Sequence, residues 1–125
     1  MKTLNIRDAL RELEPLNTEI RYKQCLEGRG FTVGLIAFRP RAGSDPKQIK
    51  HDDKDVVCHV LQGHGTLRLE DRTVDLEPGI LCHVPKGIPH DFAAGDKGEL
   101  VLLYSLITAE TRAPAAWGPP PPPAP

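Results

Sequence analysis

Hydrophobic positions in this chain change period once, early, and do not change back. Ile6, Leu10 and Leu13 fall at helical spacing with Ala9 beside them, which predicts one short amphipathic helix over 4–13. Asn5 stands where an N-cap belongs, Asp8 falls in the first turn, and Pro15 stops the helix. Beyond it, short β-rich runs follow one another over 18–26, 31–38, 56–61, 66–69, 73–76, 80–84, 90–93 and 100–107. Turn residues separate them: Gly28 and Gly30, Gly63 and Gly65, Pro78-Gly79, and Pro85-Lys86-Gly87. Strands broken by turn signals about every 8–12 residues predict an all-β sandwich or barrel, because each strand must find a neighbour for its backbone groups. Nowhere does helix alternate with strand, which argues against a parallel α/β fold. No internal repeat is visible.

The 125 residues suit one domain, large enough to bury a core without disulfide or metal staples. Sixteen Lys+Arg stand against seventeen Asp+Glu, a net charge of −1. That balance argues against a nucleic-acid partner and against a polybasic membrane anchor. Apolar runs such as 100–103 are far short of the roughly 20 residues of a membrane span, and the first residues lack a signal-peptide core. The expectation is a cytoplasmic protein. Cys25, Cys58 and Cys82 are widely spaced with no C-x-x-C pair, so a zinc ribbon or thioredoxin-type site is not expected. Seven of the thirteen prolines fall in the last twelve residues. Residues 111–125 are therefore expected to be a disordered Pro-rich tail, after a lead-in over 1–17 and a β-domain over 18–110.

All five histidines, His51, His59, His64, His83 and His90, lie between residues 51 and 90. Imidazoles on neighbouring strands can converge on a metal. Their setting is more specific. Gly79-Ile80-Leu81-Cys82-His83-Val84-Pro85-Lys86-Gly87-Ile88-Pro89-His90 runs glycine, five residues, proline, one residue, glycine, two residues, histidine. This resembles the second motif of the cupin superfamily, and Val60-Leu61-Gln62-Gly63-His64-Gly65 is similar to the hairpin that closes the first. The resemblance covers roughly residues 31–107 and implies a double-stranded β-helix (jelly roll) barrel with a short N-terminal helix. It also implies a small-molecule ligand, a divalent metal and a homodimer. An uncovered sheet edge gives a dimer a physical reason as well.

The first motif departs from the family pattern, H-x-H, three or four residues, Glu, six residues, Gly. Anchored on Gly63, it puts Val56 at the glutamate position, His51 at the second histidine and Ile49 at the first. Carry-over therefore gives His51 and His90 as metal ligands, with Asp53, Asp55 and Cys58 as candidates for a further donor. Alternation puts Cys58 on the face of Val56 and turns His59 away. Of Cys82 and His83 only one can face inward, and His59 and His64 read as packing or surface residues. Phe38, Cys58, Val60, His90 and Phe92 are expected to line the cavity, with Arg39 and Arg41 flanking its mouth.

Three function classes remain. A module binding a small organic ligand, with Fe, Mn, Ni, Cu or Zn weakly held, suits two imidazoles. A metal-dependent dioxygenase, isomerase or lyase usually brings four donors. A structural dimerisation module needs neither. No catalytic residue is assigned, and no nucleophile–base pair or phosphate-binding glycine loop is present.

Overall fold

The computed structural model describes residues 1–41 and 51–108. Ile49 and the expected tail over 111–125 lie outside them. The described residues form helix α1 (Ile6–Leu10) and nine strands, β1 (Glu14–Pro15), β2 (Ile20–Gly28), β3 (Phe31–Phe38), β4 (Asp55–Gln62), β5 (Gly65–Leu69), β6 (Thr73–Leu76), β7 (Leu81–Val84), β8 (His90–Ala94) and β9 (Leu100–Ile107). A six-stranded sheet has the order β1-β2-β3-β9-β4-β7, and a three-stranded sheet the order β6-β5-β8. All pairings are antiparallel. This is the jelly-roll architecture that the turn spacing and the motif resemblance imply.

One core cluster draws side chains from both sheets: Phe38 on β3, Val60 on β4, Leu67 on β5, Leu76 on β6, Val84 on β7, Phe92 on β8 and Leu102 on β9. The period-two pattern is the cause. Along β4, Val56, Cys58 and Val60 are each at most 1% exposed, while Val57 and His59 between them are only half-buried.

The outer face of the large sheet carries a second cluster, with Leu35 and Cys25 packed against Ala9 and Leu10 of α1. A β-bulge between Gln24 and Leu26 makes this possible. The extra residue breaks alternation, so Cys25 and Leu26 both join the outer cluster.

The helix is shorter than expected. Asn5 caps it by accepting from the Arg7 and Asp8 amides at 2.9 and 3.3 Å, but it ends after Leu10. Leu13 still packs on the outer cluster, so its apolar signal reports burial rather than helix. Pro15 lies in β1, a two-residue edge strand opposite Arg21, where its missing N–H costs no ladder bond. The second strand starts at Ile20 rather than 18 because Asn17 first forms a turn, its side chain accepting from the Glu19 and Ile20 amides at 2.8 and 2.7 Å. Among the described residues, no helix is long and apolar enough to cross a membrane.

Candidate functional site

His90 opens β8 and is only 2% exposed. Its Nδ1–H donates to the Ile88 carbonyl at 3.0 Å. A carbonyl can only accept, so this bond fixes the tautomer of the neutral ring and leaves Nε2 as a bare lone pair. Nε2 is buried and meets no hydrogen-bond partner among the described residues. A buried polar atom left unsatisfied costs about 1–3 kcal/mol, and each such case in a folded protein calls for a cause.

His51 stands beside it, ring centres 5.7 Å apart and tilted by 32°. Two contacts hold it there. The Gly87 amide donates to the His51 carbonyl at 2.7 Å, and the His51 Nε2 lies 3.3 Å from the Tyr104 hydroxyl. The Pro85–Gly87 turn thus pins His51 and leads into His90. Burial, reinforced by the neighbouring His90 and Lys54 and partly opposed by Asp53, holds the His51 imidazolium below its ordinary value. Burial also pushes the Tyr104 hydroxyl well up, with smaller contributions from Cys58 and Tyr22. At neutral pH these two groups meet as imidazole and phenol.

A cavity of about 170 Å³ opens on His90, with Ile36, Phe38, Phe92 and Tyr104 among its apolar walls. Phe38 stacks on Phe92 at 5.8 Å, and Phe92 meets His90 and Tyr104 edge-on at 5.7 and 6.2 Å. The volume is below the ~300 Å³ of sites for drug-sized ligands, so only a small molecule fits. Arg41, Glu19 and Asp91 line the polar side. The Arg41 Nε donates to both Glu19 carboxylate oxygens at 3.1 Å. Its other nitrogens engage the Asp91 carboxylate and the Phe92 carbonyl. These hydrogen bonds, Asp91 first, raise the guanidinium's pKa despite its burial. The arginine is committed to the fold, so it offers a ligand no free fork of donors. A larger groove of about 720 Å³ runs past Gln62, His64 and Glu99, but neither of the paired histidines lines it.

The cupin domain family matches residues 34–106, more than half of the chain. The chain is a cupin. Part of it is 31% identical over 78 residues to the acireductone dioxygenase of Bacillus cytotoxicus, an alignment covering 58% of this chain and 43% of that enzyme. The chain thus spans less than half the length of the curated relatives it matches. Among solved structures it is similar to KdgF from Halomonas sp. (TM-score 0.67, 19% identity, covering 78% of this chain and 88% of that one). It is similar also to TT1209 from Thermus thermophilus (TM-score 0.66, 23% identity, covering 79% and 93%). At these identities the structural likenesses carry the fold.

In this cupin, His51 and His90 lie side by side, and the other proposed donors go elsewhere. Asp53 is exposed. Asp55 accepts from the Lys86 amide at 2.9 Å and lies 3.1 Å from the His83 Nε2. These two bonds, the Lys86 amide first, hold its carboxyl below the usual range. Cys58 packs in the core opposite Cys82. Among the described residues no three His, Cys, Asp or Glu side chains are grouped to hold a metal ion. Two imidazoles, one with an unpaired buried nitrogen, fit a borderline divalent ion held weakly, its other positions left to water or ligand.

Of the expected cavity residues, Phe38, His90 and Phe92 line the opening, while Cys58 and Val60 lie in the core cluster. Tyr104, Glu19 and Asp91 were not singled out from the sequence. Tyr104 was within reach, since it alternates in step with the inward Leu100 and Leu102. Asp91 follows the inward His90, and alternation gives no sign that it is buried; Arg41 reaches it from 50 residues away in the chain.

Proposed function

We propose that this cupin binds a small organic ligand in the cavity at His90, with a divalent metal held weakly by His51 and His90. The unpartnered, buried Nε2 of His90 carries this reading. A nitrogen kept bare by its own backbone bond is ready for a donor or a cation to meet it. The chain's residues then have separate tasks. The Ile88 carbonyl orients His90, Tyr104 holds a proton 3.3 Å from the His51 Nε2, and Phe38 and Phe92 exclude water. When bound, the metal would act as a Lewis acid on an oxygen of the ligand. Small cupins of this kind are expected to pair, and an uncovered sheet edge gives a homodimer its physical reason.

The test is metal uptake by untagged, metal-stripped protein dialysed separately against Fe, Mn, Ni, Cu and Zn. Weak, substoichiometric uptake, lost in both His51→Ala and His90→Ala, is the expected result. Uptake that survives both substitutions contradicts the site.

The similarity to acireductone dioxygenases favours a second reading, a metal-dependent dioxygenase. It requires near-stoichiometric metal and oxygen consumption with an acireductone. Oxygen consumption that His90→Ala abolishes would put this reading first.

A further inference from the structure

β4 and β7 pair antiparallel with Cys58 directly opposite Cys82. Two residues along, the Val60 amide donates to the Ile80 carbonyl at 2.9 Å. By the alternation of the ladder, Cys58 and Cys82 form a hydrogen-bonded pair, whose Cα atoms stand about 5.5 Å apart with side chains on one face. A disulfide spans roughly 4.4–6.8 Å between Cα atoms. Cys58 belongs to the core cluster and Cys82 packs against it. All three cysteines are free, and Cys25 sits on the opposite face of the sheet, beneath α1.

We propose that Cys58 and Cys82 are an oxidative modification site, a cross-strand dithiol that a peroxide converts to an intramolecular disulfide. Their surroundings divide the roles. Cys82 is partly exposed on an edge strand, so it meets the oxidant. Cys58 is buried, so the oxidant does not reach it first. Cys58 is therefore the resolving residue. The Cys82 sulfur attacks one oxygen of hydrogen peroxide, the O–O bond breaks, and Cys82 sulfenic acid forms with release of water. The Cys58 sulfur then attacks the sulfenic sulfur, expelling a second water and closing the S–S bond. Two thiols lose two electrons and two protons, and the peroxide is reduced to two waters.

The experiment treats the full chain with hydrogen peroxide, alkylates the remaining thiols after denaturation, and maps unreduced peptides by mass spectrometry. The expected result is a fall from three free thiols to Cys25 alone. The protein is lighter by about 2 Da before alkylation, carries a Cys58–Cys82 linked peptide, and is restored by dithiothreitol. In Cys58→Ala, Cys82 should persist as a sulfenic acid that dimedone traps; in Cys82→Ala, Cys58 should stay reduced at the same dose. Cys82 driven to sulfinic acid while Cys58 is alkylated, Cys82 linked between chains, or three thiols left intact would each overturn the proposal. The wild-type map alone decides it if a variant fails to fold.

Discussion

His51 titrates below its ordinary value mainly because it is taken out of water, and the direction fixes how acid acts on the fold. The unfolded chain takes up this proton near pH 6.5, whereas the folded protein resists until lower pH. Between those points the unfolded state binds more protons, so stability rises with pH and falls on acidification. Urea midpoints at about pH 7 and pH 5.5 should therefore differ more in the wild type than in His51→Gln. An equal acid sensitivity in both would show that His51 is solvated. At this scale the sequence was informative only where a motif or an alternation applied. His51 and His90 came from motif spacing, and Phe38 and Phe92 from inward-facing positions. The pairing of Asp55 with His83 was not legible, since it depends on the register of β4 against β7, 28 residues apart in the chain. Nor was the bare nitrogen of His90, which depends on the direction of one carbonyl.

Turns and latches hold the elements that carry these residues. Gly63 has φ +83°, and a Cβ there would run into the Glu99 carbonyl; Gly87 has φ +82° with nothing within 4 Å of a Cβ. Gly87→Val should then cost only backbone strain, about 1–3 kcal/mol. Gly63→Ala should cost more, because the β9 approach must move as well; urea denaturation reads both, and the opposite ranking would contradict the geometry. Arg41 ties the start of β2 to β8 through Glu19 and Asp91, whose side chains are 9% and 5% exposed. Removing it in Arg41→Ala leaves Glu19 without this partner and Asp91, among the described residues, with only the more exposed Arg68 at 3.8 Å, which costs about 3–5 kcal/mol. Replacing all three by apolar residues should recover most of that loss; a triple variant as unstable as the single one would argue that the latch contributes beyond charge pairing. Strand boundaries were largely legible because alternation and turn residues agree: 31–38, 73–76 and 100–107 match β3, β6 and β9. The helix over 4–13 was overextended, since the apolar face of α1 continues into residues that pack without being helical. The bulge in β2 left no sequence signal, because Cys25 and Leu26 are both apolar and either could face the core.

At the scale of the whole molecule, the described residues form a jelly roll whose two motifs meet along the β4–β7 pairing and, at its end, through the Gly87 amide on the His51 carbonyl. The proposed site draws on that junction: β8 and β9 bring His90 and Tyr104 to the cavity wall, and the segment entering β4 sets His51 beside them. The central claim is that His90 on the cavity wall and His51 beside it act together while the other three histidines do not. Long-range proton–nitrogen spectra of the five imidazoles during titration with nickel(II) test it directly. His51 and His90 should change first and together, with His59, His64 and His83 undisturbed until the metal is in large excess. A first response at His83 beside Asp55, or no response at His90, would contradict the account.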